Sequence, residues 1–201
     1  RSNSERAGSA GTASVVRELR GGALESALRA AVQAARSGDP NDAATTVGPM
    51  VRERQWQRVQ GYIRTGGEEG ARLLAGGEGR PGGLSRGWYV RPTLFTDVRN
   101  DMTIAREEIF GPVLCVIGYR TEAEAVAIAN DTPYGLSALV IGTDQARATV
   151  VARQIQPGRV LGNTLRHEPM APFGRMKPPG LGRATRRRGR VGASAAPARG
   201  V

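Results

Sequence analysis

At 201 residues with 39% hydrophobic content, the chain can bury a sizeable core as one domain or one and a half. No apolar run approaches a membrane span and no signal segment opens the chain, while one Cys (Cys115) and one His (His167) exclude a disulfide framework and argue against a metal cluster. The net charge of +11 sits mostly at one end, where residues 175–201 hold eight Lys and Arg and no acid, leaving +3 elsewhere; the basicity belongs to a tail, not to a folded nucleic-acid face.

In chain order, residues 1–14 lack an apolar period and read as disordered. Leu24, Ala27, Leu28, Ala31 and Ala35 recur at three- and four-residue spacing, which predicts a helix over 23–36. Gly38-Asp39-Pro40 stops it. Val51, Trp56, Val59, Tyr62 and Ile63 predict a second amphipathic helix over 50–65, closed by Gly66-Gly67. Ala71–Ala75 is a short strand candidate. The stretch from Gly76 to Gly87 lacks the Gly-Lys-Ser/Thr ending of a phosphate loop and reads as a surface loop.

Residues 88–96 alternate well enough for a strand, with Pro92 favouring an edge or a kink. After a turn at Asn100-Asp101 comes Arg106-Glu107-Glu108-Ile109-Phe110-Gly111-Pro112, followed by an apolar run from Val113 that predicts a buried strand over 113–119. Pro112 lacks an N–H and restricts Gly111, so helix cannot run through it. A rigid loop carrying Glu and Phe at the mouth of a sheet is a common place for a ligand. The plainer alternative is a solvated Glu pair beside a core Phe. Thr121 and Asp144 are expected to cap two further helices, and Leu136–Ile141 and Arg159–Asn163 are expected strands. Strand, helix, strand, helix, strand predicts a mostly parallel α/β sheet flanked by helices.

Six words then carry a family resemblance: Gly38-Asp39-Pro40, Thr46-Val47-Gly48-Pro49, Pro92-Thr93-Leu94-Phe95, Arg106 through Val113, Ala129 through Leu136, and Ala171-Pro172-Phe173-Gly174. In this order and spacing the chain resembles the C-terminal part of the catalytic domain of NAD(P)-dependent aldehyde dehydrogenases. The resemblance implies an oxidoreductase that converts an aldehyde to a carboxylic acid with NAD or NADP. It implies that Glu108 accepts hydrogen bonds from the nicotinamide ribose hydroxyls, that Phe110 packs by the nicotinamide ring, and that Phe173 lies near the substrate tunnel. A carboxylate suits the first role because it accepts two O–H donors at once. A cytoplasmic location fits the lone thiol.

The family's nucleophile is a cysteine upstream of the Gly-Asp-Pro turn, where it forms a thiohemiacetal before hydride passes to the nicotinamide. Residues 1–37 contain no Cys, and the general-base Glu and the dinucleotide-binding half are not expected in this chain either. Cys115, inside an apolar strand, reads as a buried, inert thiol. A fragment inactive on its own is therefore expected. Residues 1–22 read as a disordered or non-native segment, 23–183 as the family portion, and 184–201 as a disordered Arg/Gly/Ala-rich tail, a pattern suggesting a shifted reading frame at the ends. Where the resemblance implies Gly and, four residues later, Ser, this chain has Arg175 and Pro179. The family is homo-oligomeric, but its C-terminal oligomerisation segment is not expected here. Two alternatives accompany this reading: a non-catalytic partner of a full-length relative, and weak nucleic-acid binding through Arg186-Arg187-Arg188.

Overall fold

A computed structural model describes residues 13–17 and 22–163, together with the backbone of three two-residue strands further on. The chain divides into two compact units, residues 1–120 and 121–201.

The first unit contains β1 (Ala13–Arg17), α1 (Ala23–Gln33), α2 (Glu53–Glu68), β2 (Arg72–Ala75), β3 (Thr93–Thr96), α3 (Thr103–Arg106) and β4 (Val113–Tyr119). Its sheet has the order β1-β4-β3-β2, with β1 and β3 parallel to β4 and β2 antiparallel to β3. All four residues of β3 are buried, as expected of a strand covered on both faces. Alternation divides them between two layers. Leu94 joins Leu74 and Val116 in a cluster closed by Leu28 and Val32 of α1. Phe95 points the other way, toward Gly66 of α2 and Ile104 of α3.

Four expectations are corrected in this unit. Residues 13–17, assigned to the disordered or non-native segment 1–22, form β1, because pairing with β4 from Ala13↔Cys115 to Arg17↔Tyr119 supplies backbone partners that composition does not reveal. The helix expected over 23–36 ends at Gln33. The helix expected over 50–65 runs from Glu53 to Glu68, straight through Gly66-Gly67. Gly66 is there for fit: a Cβ at that position would stand 2.9 Å from Ile104 Cδ1 and 3.3 Å from Phe95 Cζ. Packing thus overrides a local stop signal. The strand expected from Trp88 begins only at Thr93, after Pro92, and is central rather than an edge. Pro92's missing donor is harmless just outside the ladder.

The second unit contains α4 (Glu122–Asn130), β5 (Ser137–Val140), α5 (Gln145–Ala152), β6 (Arg159–Gly162), β7 (Phe173–Gly174), β8 (Arg183–Ala184) and β9 (Ala198–Arg199). Both expected caps form: Thr121 Oγ1 accepts from the Glu124 N–H at 3.2 Å, and Asp144 Oδ1 from the Arg147 N–H at 3.0 Å. Strands β5 and β6 pair in parallel through α5, and β9 pairs in parallel with β6. The parallel α/β character holds, but β4 and β5 belong to different sheets rather than one continuous sheet. Within the tail expected to be disordered, Ala198–Arg199 form β9, held by the β6 ladder, and Ala184 ends β8; the rest of that tail lies outside the described residues. No helix among the described residues is long and apolar enough to cross a membrane.

Candidate cofactor-facing loop

The loop from Glu107 to Pro112 is fixed at both ends by the elements that flank it. Glu69, just past α2, accepts from the Thr103 N–H at 2.8 Å and from its hydroxyl at 2.5 Å, setting the first turn of α3. Helix α3 ends at Arg106, and Glu107 is already extended, with φ −114° and ψ 152°. At the far end the Thr93 N–H donates to Pro112 O at 2.8 Å, carrying the chain into β4 beside β3. Ile109 between them is fully buried.

One face of α2 holds the loop along its length. Gln55 Nε2 donates to the carbonyl of Phe110 at 2.9 Å and to that of Ile109 at 3.3 Å. An Arg58 guanidinium nitrogen donates to the carbonyl of Glu108 at 3.1 Å and to the Tyr62 hydroxyl at 3.0 Å. The Tyr62 hydroxyl donates to Glu107 Oε2 at 2.6 Å. Val59, on the same side of the helix, packs beneath Gly111. These side chains at 55, 58, 59 and 62 share one stripe of a 3.6-residue helix. The sequence pattern places Val59 and Tyr62 on the apolar face of this helix, but the loop partners of Gln55, Arg58 and Tyr62 lie about fifty residues later in the chain, where no local pattern points to them.

The anchors explain an unusual backbone. Phe110 has φ +55°, a left-handed conformation uncommon for a residue with a Cβ and costing on the order of 1–3 kcal/mol. Buried Ile109 before it and the Gly111–Val59 contact after it leave the chain little choice. The consequence is outward display: Phe110 remains 38% exposed. Glu108 beside it is half-buried, and its carboxylate has no hydrogen-bond or ion-pair partner among the described residues. Glu107 is occupied by Tyr62; Glu108 is not. The two adjacent carboxylates therefore have different jobs, one holding the loop and the other open to a ligand.

Tyr62 carries a testable signature of this packing. Burial chiefly, and the hydrogen bond to Glu107 next, push its phenol above the ordinary value of about 10, against an opposing pull from Arg58. The fold thus favours the neutral phenol. Its contribution to stability is fully present below pH about 10 and is lost as pH rises through the elevated folded value. An ultraviolet phenolate titration of the folded chain is expected to lose its high-pH step in Tyr62→Phe, and Glu107→Ala is expected to move that step down. Loss of a phenol titrating at or below the ordinary value would contradict this.

The remaining expected features are placed differently. Cys115 is fully buried in β4. Phe173 contributes its backbone to β7, opposite Ala184 of β8, in the second unit; its side chain lies outside the described residues. A cavity of about 440 Å³ opens beside Trp56, Gly79 and Arg80 and includes neither Glu108 nor Phe110 in its lining. It borders a structural stack, with the Arg80 guanidinium 4.9 Å from the Trp56 ring and 5.4 Å from the Trp88 ring. The Trp56 indole N–H donates to Tyr89 O at 2.7 Å. Among the described residues no group of three or more His, Cys, Asp or Glu could hold a metal.

Comparison with known proteins agrees with the words read in the sequence. The aldehyde dehydrogenase family model matches residues 4–192, beyond the expected family portion of 23–183. A Staphylococcus haemolyticus relative named for aldehyde dehydrogenase is 47% identical over 174 residues, which is 87% of this chain and 37% of the relative. Among solved structures, a mutant aldehyde dehydrogenase C from Pseudomonas syringae, complexed with NAD+ and octanal, is 48% identical with a TM-score of 0.82, covering 86% of this chain and 36% of that one. The Mycobacterium tuberculosis aldehyde dehydrogenase complexed with NAD+ is 46% identical with a TM-score of 0.82, covering 86% and 35%. This chain thus spans about a third of the length of the relatives it matches. With the family model covering most of its length, the chain belongs to the aldehyde dehydrogenase family.

Proposed function

We propose that this chain carries the loop that grips the nicotinamide end of NAD(P)+ in an aldehyde-oxidising enzyme, with Glu108 on the ribose and Phe110 against the ring. The observation that carries this reading is the pairing of a partnerless Glu108 carboxylate with an exposed Phe110 on a loop fixed by α2. The residues fit the group. A carboxylate accepts both hydroxyls of a ribose diol, and an aromatic face displayed by a strained backbone limits where a planar ring can lie. Bound there, the nicotinamide supplies a hydride acceptor for the oxidation of an aldehyde to a carboxylic acid. What this chain does is bind and orient: Glu108 fixes the ribose, and Phe110 blocks one position of the ring.

The chain does not oxidise aldehydes by itself in this reading. Its one thiol, Cys115, is sealed inside β4 and cannot reach a substrate carbonyl. By the family resemblance alone, the word Ala171–Gly174 assigns Phe173 to aldehyde binding. Nicotinamide mononucleotide, followed by saturation-transfer NMR, is the direct probe. The chain is expected to bind it, and Glu108→Ala is expected to weaken binding by tenfold or more, since a hydrogen bond to a charged acceptor contributes about 1.5–3 kcal/mol. Equal binding by the variant would refute the assignment of Glu108. Aldehyde-dependent NAD(P)H formation by the purified chain would refute the claim of inactivity.

A further inference from the structure

We propose that the Tyr62–Glu107 hydrogen bond is the latch that keeps Glu108 and Phe110 presented, so that Tyr62, a residue of α2 with no hydrogen bond to either among the described residues, is a positioning residue for the loop. The inference rests on the reading above for what the loop binds, but the latch itself stands on geometry.

Among the described residues, every other hydrogen bond between α2 and the loop ends on a backbone carbonyl. Gln55 reaches the carbonyls of Ile109 and Phe110, and Arg58 that of Glu108. Carbonyls move with whichever side chain they precede, so these bonds limit the height of the loop above the helix without deciding which carboxylate turns inward. The Tyr62–Glu107 bond, at 2.6 Å, is the one that consumes a specific side chain. Occupying Glu107 holds it down against α2, and the extended backbone at Glu107 itself turns the next side chain, Glu108, away from it. Arg58 links the two systems, donating to the Tyr62 hydroxyl at 3.0 Å and to Glu108 O at 3.1 Å. A phenol that donates to a carboxylate while accepting from a guanidinium has its proton direction fixed by both neighbours. The latch is therefore polarised, with a single arrangement of donors.

The test uses the whole chain grown with 4-fluorophenylalanine. Its three Phe residues give three fluorine signals, of which Phe110's is assigned by its loss in Phe110→Leu. Tyr62→Phe keeps the ring and deletes only the hydroxyl. Glu107→Ala deletes the acceptor, and Glu107→Gln keeps a carbonyl oxygen able to accept from Tyr62. The latch predicts that Tyr62→Phe and Glu107→Ala shift or broaden the Phe110 signal alike, that combining them adds nothing, and that Glu107→Gln restores the parent signal. The Phe95 signal, from the core, serves as the check that the fold is intact. An unmoved Phe110 signal in Tyr62→Phe, with Phe95 unchanged, overturns the proposal, and so does an additive double variant. Titration with nicotinamide mononucleotide is the second readout, and affinity is expected to fall by about three- to tenfold in Tyr62→Phe and to recover in Glu107→Gln. Absence of binding by the parent chain would refute the cofactor reading, whereas the fluorine signals decide the latch independently.

Discussion

Replacing Gly111 with Ala is expected to lower the urea midpoint of the chain and to release the Glu107–Pro112 loop from α2, at a net cost of about 1–2 kcal/mol. The estimate balances two effects. A Cβ at this position would stand 2.7 Å from both methyl carbons of Val59 and 3.3 Å from its Cβ, an overpacking of the kind that costs about 1–3 kcal/mol. Against it, Ala narrows the unfolded ensemble and returns about 0.4–1 kcal/mol. Overpacking wins because neither side can give. Val59 is fully buried and β-branched on a helix, where one rotamer dominates. Pro112 confines position 111 to extended geometry on the other side. Relief must come from lifting the loop, and lifting it strains the bonds from Gln55 to the Phe110 carbonyl and from Tyr62 to Glu107.

A double-mutant cycle isolates the contact. Val59→Ala alone leaves a cavity under the loop and destabilises, but in the Gly111→Ala background it makes room for the new methyl. The two changes are expected to couple favourably by more than about 0.5 kcal/mol, the scatter seen for independent sites. Additive free energies would show that Gly111 does not rest on Val59. Nicotinamide mononucleotide affinity is expected to follow the same cycle, because the left-handed backbone at Phe110 needs the fixed Gly111 beside it.

Particular elements show what could be read without coordinates. Strand β4 was legible because Gly111-Pro112 stops what precedes it and an unbroken apolar run follows; its observed bounds are Val113–Tyr119. The caps at Thr121 and Asp144 were legible because a cap is a short-range device, complete within three residues. What failed was long-range. Strand β1 exists through its ladder to β4, roughly a hundred residues away in sequence. Gly66-Gly67 reads as a helix end, yet α2 continues because Ile104 and Phe95 need the space a Cβ would fill. The split between two sheets is likewise invisible to a local pattern, since βαβ alternation looks the same whether or not successive strands share an edge. In the site, Glu108 and Phe110 were reached through the family words. Gln55, Arg58 and Tyr62, which hold them in place, were not, because their partners are loop atoms that no periodicity encodes.

The second large effect concerns Cys115, whose thiol is expected to react with a disulfide reagent at least about a thousandfold more slowly in the native chain than in urea. Exposure decides reactivity here: the residue is fully buried in β4, flanked by Leu114 and Val116 and paired on one side with β3 and on the other with β1. A reagent cannot reach the sulfur without opening that ladder. Opening a central strand costs close to the global stability, of order 5 kcal/mol or more for a domain of this size, which suppresses the reactive population by between three and four powers of ten. A nucleophile for aldehyde oxidation has the opposite requirement, since it must meet a substrate carbonyl at van der Waals distance. Rapid, stoichiometric labelling of the native chain would mean that β4 opens or that the thiol is presented, and would revive it as a candidate nucleophile. Slow labelling that accelerates in proportion to unfolding would instead assign Cys115 to the core. Glu108 and Phe110 would then be left to serve a reaction whose sulfur comes from elsewhere than β4.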